Sequence, residues 1–181
     1  MTEALLPMPT LETERLILRA WEASDVQMVV GIFAEEQNAR YTGGAKPQWQ
    51  AWRHFAAMIG HWHLRGFTVF AVEEKNTGVS IGFAGPWYPF GWPEKEIGYS
   101  FIPEAQGKGY ASEAALATLV YAYSELAWKT AISLIDKRNI ASKRVAEKLG
   151  ASFEKESLLF GTDTAEVWRH LPPEQFLETH G

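Results

Sequence analysis

The residues best suited to chemistry form a short glycine-containing stretch, Gln106-Gly107-Lys108-Gly109-Tyr110-Ala111. The preceding segment, Lys95 to Ile102, is typical of a strand, and Pro103 ends it. The following segment, Tyr110 to Leu126, carries apolar residues at helical spacing. Glycine lets the backbone turn several N–H groups toward one point, and a helix N-terminus adds partial positive charge. The stretch therefore predicts a site for a phosphate or pyrophosphate group.

Three phosphate-binding patterns can be compared with this stretch. The P-loop pattern G-x-x-x-x-G-K-[ST] fails because Lys108 is followed by Gly109 and no glycine lies five residues before Gly107. This failure also disfavours a kinase-like enzyme. The dinucleotide fingerprint needs a third glycine where the chain has Ser112. The pattern [QR]-x-x-G-x-[GA] fits at each of its fixed positions. A plain glycine turn that only joins a strand to a helix is the alternative.

The elements around the glycine stretch predict an α/β protein with a mixed seven-stranded sheet and helices on both faces. The expected strands are 15–21, 68–74, 79–87, 95–102, 130–135, 153–160 and 164–171. The expected helices are 25–33, 48–64, 110–126 and 140–149. Turns at Lys75-Asn76-Thr77-Gly78 and Gly161-Thr162-Asp163 indicate two hairpins. No repeat or linker divides the chain, so we expect one domain over 1–181 with a core of about 11–171.

Composition excludes several classes of protein. The chain has no cysteine among its 181 residues, which rules out disulfides, cysteine-ligated zinc and a thiol nucleophile. A net charge of -5 argues against a nucleic-acid partner and suits an amine-bearing acceptor. The sequence shows neither a membrane-span pattern nor a leader pattern, so we expect no membrane partner and a cytoplasmic location. The eight tryptophans predict an aromatic pocket.

The glycine stretch resembles the coenzyme A loop of the Gcn5-related N-acetyltransferase (GNAT) superfamily. Three more segments match in the correct order. Asn139 to Gly150 is similar to the second signature of the superfamily, N-x-x-S-x-x-x-x-x-K-L-G. The segments Arg15-Leu16-Ile17-Leu18-Arg19 and Glu96-Ile97-Gly98-Tyr99 resemble the subgroup that contains the ribosomal-protein alanine N-terminal acetyltransferases. The likeness extends from about Leu11 to Leu171.

The resemblance implies an acyl-CoA N-acyltransferase fold that moves an acetyl group from acetyl-CoA directly to an amine, without a metal. Its two central parallel strands separate to admit the pantetheine arm of the cofactor. The implied partners of the pantetheine are the strand end Phe101-Ile102 and, on the second signature, Asn139. The residues that the resemblance assigns to the pyrophosphate are Gln106, Gly107, Lys108, Gly109, Tyr110, Ala111 and Ser112.

Two residues are the candidate catalytic groups. Many relatives carry a tyrosine seven residues after the asparagine, where this chain has Ala146, so Ser142 is the candidate donor to the leaving thiolate. Its alternative role is a local backbone bond in the first turn of its helix. Glu96 is the first candidate for the general base, because a carboxylate beside an apolar cleft acquires a raised pKa. A structural carboxylate paired with Arg or Lys is the alternative for Glu96. His54, His61 and His63 are further candidates for the base, and packing is their alternative role.

Aromatic residues mark the acceptor side. Trp49, Trp87, Tyr88 and Trp92 are the candidate substrate-binding residues, whereas Trp52, Phe55 and Trp62 are expected in the core. The segment from Trp87 to Trp92 suits a pocket wall or a homodimer contact. The acceptor is open between a protein N-terminus and a small amine. The rival function is a non-catalytic coenzyme A-binding domain, which the missing tyrosine favours.

Overall fold

The fold is built on one twisted, mixed sheet. The structure is a computed structural model and describes residues 7–159 and 163–180. Within these residues the sheet has eight strands in the order β1-β2-β3-β4-β5-β6-β8-β7. The strands are β1 (Leu11–Glu12), β2 (Leu16–Arg19), β3 (Phe70–Glu74), β4 (Val79–Trp87), β5 (Glu96–Phe101), β6 (Ile132–Ile135), β7 (Ser152–Leu159) and β8 (Asp163–Arg169). The helices are α1 (Val26–Ala34), α2 (Glu36–Ala39), α3 (Gln48–Arg65), α4 (Tyr110–Ser124), α5 (Ile140–Lys148) and α6 (Pro173–His180).

The predicted mixed α/β sheet is confirmed, with one strand more than expected. The additional strand, β1, has two residues, which is too short for alternation to reveal it. The helices α2 and α6 were also missed. α2 is a single turn, whereas Pro173 and Glu174 at the start of α6 are ordinary helix-start signals.

Both faces of the sheet are covered by helices. In β4, Phe83 belongs to the apolar cluster that includes residues of α1 and α3. Its neighbour Ala84 belongs to the cluster on the opposite face, which includes residues of α4. Successive side chains of a strand point to opposite faces, so one strand supplies both layers of the core. The central strands are thereby fixed between two packed layers.

The connections agree with the predicted hairpins. β3 and β4 pair antiparallel, and Gly78 in their turn has a φ of 66°. β7 and β8 also pair antiparallel, while Gly161 and Thr162 of the predicted turn lie outside the described residues. Among the described residues, no helix combines the length and the apolar character needed to cross a membrane.

Parallel pairing occurs between β5 and β6, whereas the other paired strands of the sheet run antiparallel. β5 leads through the glycine stretch into α4, and α4 returns the chain to the start of β6. This crossover places the glycine stretch at the C-terminal end of β5. The two parallel strands and the ends of α4 and α5 therefore frame the candidate site.

Candidate active site

The site begins where β5 and β6 separate. Their paired register is Glu96 with Ile132, after which the two strands diverge. Side chains then bridge the widening gap. The Glu96 carboxylate accepts a hydrogen bond from the Leu134 N–H at 3.1 Å, and the Ser133 hydroxyl donates to the Ile97 carbonyl at 2.9 Å. The strands are thus held apart by polar side chains at the closed end of the gap.

Beyond this point, the backbone of β5 faces an open edge. Because the Ile97 carbonyl points toward β6, alternation turns the backbone groups of Tyr99 and Phe101 the same way. The Phe101 carbonyl accepts a hydrogen bond from Gln106 Nε2 at 3.0 Å. In contrast, the Ile102 N–H donates to the Ile81 carbonyl of β4 at 2.9 Å. The open edge therefore includes Phe101, and the predicted partner Ile102 is directed to the other side.

Glu96 is buried, with 7% of its surface exposed, and its partners carry no charge. Trp92 Nε1 donates to the carboxylate at 2.7 Å, in addition to the bond from the Leu134 N–H. Burial raises the pKa of Glu96 to about 7, although both hydrogen bonds act in the opposite direction. None of the ion pairs between described residues includes Glu96. The alternative of a structural carboxylate paired with Arg or Lys is not what the structure shows.

α5 presents Ser142 to the same space. Asn139 is the N-cap of this helix, and its side chain accepts from the Ser142 N–H at 3.1 Å. The Ser142 carbonyl accepts from the Tyr99 hydroxyl at 3.1 Å, which ties β5 to α5 across the gap. No hydrogen bond between described residues uses the Ser142 hydroxyl, so the expected alternative of a local backbone bond is not observed. Ala146, where many relatives have a tyrosine, is fully buried.

A cavity of about 740 Å³ joins these groups. Its walls are formed by β4, β5, β6, β8, α3, the start of α5 and the segment that connects α1 to α3. Glu96 and Ser142 both line it, as do Trp87, Trp92 and His54. The lining on the side of Glu96 is rich in aromatic rings, and this apolar surrounding explains the raised pKa of its carboxyl.

Two of the predicted substrate residues lie away from the cavity. Trp49 is 58% exposed on the first turn of α3, where the guanidinium of Arg53 lies 5.7 Å from its ring centroid. Tyr88 packs against the cluster that includes residues of α4, with Arg65 over its ring at 5.0 Å. Tyr88 follows Trp87 directly, so alternation sends the two rings to opposite sides. The expectation that Trp52 is a core residue is wrong, because it is 56% exposed.

The three candidate histidines have different environments. His61 is buried, with Nδ1 2.6 Å from the Phe67 carbonyl and Nε2 accepting from the Tyr88 N–H at 3.1 Å. These partners make His61 a packing residue. His54 lines the cavity, and burial lowers its pKa to about 4. His63 is exposed on α3. In residues 7–159 and 163–180, no group of three His, Cys, Asp or Glu side chains is arranged to hold a metal ion.

The glycine stretch has the predicted backbone geometry. Gly107 and Gly109 have φ values of 74° and 86°, in the left-handed region that favours glycine. Gly109 is the N-cap of α4. In the described part of the chain, the backbone N–H groups from Gly107 to Ser112 have no hydrogen-bond acceptor, so this concave turn has the unpaired donors that an anion requires. The Tyr110 side chain is buried in the core, so Tyr110 contributes its N–H group to this set.

A family model described as "Acetyltransferase (GNAT) domain" matches residues 15–152. The chain belongs to the GNAT acetyltransferase family. It is 35% identical to "Uncharacterized protein YkkB" of Bacillus subtilis, over 80% of this chain and 86% of that protein. It is 30% identical to "Uncharacterized N-acetyltransferase YoaA" of the same organism, over 83% of this chain and 86% of that protein.

Solved structures of GNAT proteins have the same architecture. The crystal structure of an acetyltransferase from Agrobacterium tumefaciens superimposes with a TM-score of 0.84 and 28% identity. The match covers 94% of this chain and 99% of that chain. The GNAT family uses acetyl-CoA as the acetyl donor and amines as acceptors. The chain is accordingly an acetyl-CoA-dependent acetyltransferase, and the resemblance inferred from four sequence segments is confirmed.

Sequence reasoning missed several residues of the site. Ser133, which bridges the gap, appears in the sequence only as a polar residue inside a short apolar strand. Tyr41 and Arg138 both line the cavity, and the Tyr41 hydroxyl donates to the Arg138 carbonyl at 3.3 Å. These two residues lie in irregular segments, where no periodicity marks them.

Proposed function

We propose that this GNAT protein transfers the acetyl group of acetyl-CoA to a primary amine by direct attack, with Glu96 as general base and Ser142 as hydrogen-bond donor to the leaving thiolate. The observation that carries the proposal is the cavity between the diverging strands β5 and β6. A carboxylate with a pKa near 7 and a hydroxyl that has no hydrogen-bond partner among the described residues both line this one space. The acceptor class is a protein N-terminus or a small amine.

The cofactor side of the site fits acetyl-CoA. The unpaired N–H groups of the glycine stretch, from Gly107 to Ser112, suit the pyrophosphate, and Lys108 and Gln106 flank them. The open edge of β5 near Phe101 suits the amide groups of the pantetheine, as does the cap residue Asn139. When bound, acetyl-CoA supplies an activated thioester carbonyl.

Residues of the chain would then accept the proton of the acceptor and stabilise the charge on the leaving sulfur. Glu96 in its ionised form accepts a proton from the acceptor ammonium, which frees the nitrogen lone pair to attack the carbonyl. As the carbon–sulfur bond breaks, the Ser142 hydroxyl would donate a hydrogen bond to the sulfur, and the leaving thiolate would take up the second proton that the nitrogen loses. Trp87 and Trp92 exclude water beside Glu96, and that dry surrounding brings its pKa close to neutral pH. Direct attack requires no covalent enzyme intermediate, which agrees with the absence of cysteine.

The test of catalysis is thiol release from acetyl-CoA, followed with a panel of primary amines that includes peptides with free N-termini. Amine-dependent thiol release that the Glu96→Gln variant loses supports the proposal. Binding of acetyl-CoA without thiol release for any amine would instead support a non-catalytic coenzyme A-binding domain.

The test of the cofactor site is a matched pair of glycine variants. Gly107 and Gly78 have similar φ values of 74° and 66°, and a Cβ at either position meets no atom within 4 Å. Asp at either position therefore imposes a similar backbone strain. Only Gly107→Asp places a negative charge in the anion-binding turn, so it should abolish the rise in Tm that acetyl-CoA produces. Gly78→Asp should retain that rise. Equal stabilisation of both variants by acetyl-CoA would show that the pyrophosphate binds elsewhere.

A further inference from the structure

One arginine, Arg15, contacts the glycine stretch at Lys108 and at Tyr110. Arg15 lies just before β2, about ninety residues away in the sequence from the loop it contacts. Its Nη1 donates to the Lys108 carbonyl at 3.0 Å, and its guanidinium lies 4.5 Å from the ring centroid of Tyr110. Its Nη2 is 3.4 Å from the position that a Cβ on Gly109 would occupy. A single side chain thus contacts Lys108 and Tyr110 and lies beside Gly109, at the start of α4.

The guanidinium is itself held in place by Glu113 in the first turn of α4. Glu113 Oε2 accepts from Arg15 Nε at 2.7 Å and pairs with Nη2 at 2.6 Å. The other carboxylate oxygen accepts from the Thr13 hydroxyl at 2.6 Å and from the Arg15 N–H at 2.9 Å. Burial opposes ionisation here, but these hydrogen bonds outweigh it and lower the pKa of Glu113. The pair is therefore charged and well fixed at neutral pH.

The bond to the Lys108 carbonyl has a consequence for the next N–H group. A peptide unit is planar and trans, so its C=O and its N–H point in opposite directions. Because Arg15 holds the Lys108 C=O on its own side, the Gly109 N–H is directed away from Arg15, toward the open side of the turn. That is the direction an anion-binding donor needs. Without this anchor, two flexible glycines would leave the peptide free to rotate.

We propose that Arg15 is a positioning residue that fixes the glycine turn in its pyrophosphate-binding conformation. The inference rests on the proposed cofactor site. It adds that a residue just before β2 holds the glycine stretch in the shape that the pyrophosphate requires. Arg15 acts through the backbone at Lys108 and Gly109, so its contribution should depend on the pyrophosphate of the donor. It should not depend on the acetyl thioester or on the acceptor.

The chain offers a matched control in the same segment. Arg19 makes comparable bonds, to Asp25 at 2.9 Å, to Glu73 at 2.9 Å and to Ser80 at 2.8 Å, and no bond of Arg19 between described residues reaches the glycine stretch. Arg19→Gln removes a similar ionic network on β2. It should lower Tm and leave the KM for acetyl-CoA unchanged.

The experiment compares two acetyl donors with Arg15→Gln, Arg19→Gln and the unaltered protein. Acetyl-CoA carries the pyrophosphate, whereas acetyl-pantetheine has the same thioester without it. Arg15→Gln should raise the KM for acetyl-CoA on the order of tenfold, the effect of one charge-assisted hydrogen bond, and leave kcat/KM for acetyl-pantetheine within about twofold. A KM for acetyl-CoA equal to that of the unaltered protein would overturn the proposal, and so would an equal loss with both donors.

Two further variants keep the result interpretable. If Arg15→Gln does not fold, Arg15→Lys retains the charge but lacks the fork that reaches Glu113 and Lys108 together, and the same donor-dependent rise in KM is expected at smaller size. Gly107→Asp distinguishes a failure of the proposed cofactor site from a failure of the proposed role of Arg15. If Gly107→Asp still binds acetyl-CoA, the proposed cofactor site is wrong. If Gly107→Asp loses binding while Arg15→Gln and Arg15→Lys bind normally, only the role of Arg15 is wrong.

Discussion

Two glutamates, Glu96 and Glu113, lie in different surroundings, and their pKa values are shifted in opposite directions. Glu96 lies at the N-terminal end of β5 and receives hydrogen bonds from an indole and a backbone N–H. Glu113 lies in the first turn of α4 and is bound by the guanidinium of Arg15. Both are shielded from water, yet the pKa of Glu96 is raised to about 7 and that of Glu113 is lowered. The presence of a cation makes the difference, because it stabilises the charged form that burial disfavours.

This difference separates a group that exchanges protons from one that holds structure. A carboxyl with a pKa near the working pH can accept and release a proton in each turnover. A carboxylate locked in an ion pair stays charged and fixes its neighbours. In this protein the surroundings of Glu96 are aromatic, and no ion pair between described residues includes it, whereas Glu113 pairs with Arg15 beside the glycine stretch. The following changes test whether the two glutamates differ in this way.

Glu96→Gln should have the largest effect on turnover. It removes the proposed base while keeping the shape of the side chain, so kcat should fall about 100- to 10,000-fold. Steady-state kinetics with acetyl-CoA and an active amine measures the loss. A kcat within threefold of the unaltered protein would remove Glu96 from the mechanism.

The pH dependence of protein stability gives an independent test of the raised pKa of Glu96. The folded pKa of Glu96, about 7, exceeds its ordinary value of 4.5, so the folded protein binds the proton more tightly than the unfolded chain. The stability from this group is fully present below pH 4.5 and is lost as the pH rises to about 7, by about 3 kcal/mol in total. Thermal unfolding at pH 4 and pH 8 should therefore show a decline for the unaltered protein that is smaller in Glu96→Gln. Parallel declines would mean that Glu96 titrates normally.

Ser142→Ala should have the next largest effect. A hydroxyl that donates to developing charge on sulfur acts mainly in the transition state, so kcat should fall about 10- to 1,000-fold. The KM for acetyl-CoA should change little. Ser124→Ala, at the exposed end of α4, is the matched control and should retain full activity. If Ser142→Ala keeps normal kcat, Tyr99 becomes the next candidate, because it lines the same cavity.

Glu113→Gln should have the smallest effect on turnover. It leaves kcat within about twofold, since Glu113 is remote from the reacting groups. Loss of the ionic partner of Arg15 should raise the KM for acetyl-CoA several-fold and reduce the free energy of unfolding by about 1 kcal/mol. Kinetics and thermal unfolding on one preparation measure both. A large loss of kcat in Glu113→Gln would contradict the view that Glu96 acts in proton transfer and Glu113 only in holding the structure.

The geometry of the proposed cofactor side could be predicted from the sequence because its determinants are local. The glycine turn, its position between a strand and a helix, and the cap Asn139 each follow from a few consecutive residues. Strand alternation would also have separated Phe101 from Ile102 and Trp87 from Tyr88, since neighbours face opposite sides. The sequence prediction treated each of these adjacent pairs as one group.

The acceptor side depends on tertiary packing. Nothing local distinguishes Trp49, which is exposed, from Trp92, which contacts Glu96. The sequence places Glu96 on a central strand, but it does not reveal that no cation among the described residues pairs with its carboxylate. The brace at Arg15 joins residues about a hundred positions apart, and such contacts have no sequence pattern.

The central claim is that Glu96 is a base with a pKa near 7, and the pH dependence of kcat/KM tests it most directly. The profile should be recorded with several active acceptors whose amines have different pKa values. We expect kcat/KM to rise with pH through a midpoint near 7 that is the same for all acceptors, because it belongs to the free enzyme. This step should be absent in Glu96→Gln. A profile that follows only the pKa of each acceptor amine, with no common step near 7, would contradict the account.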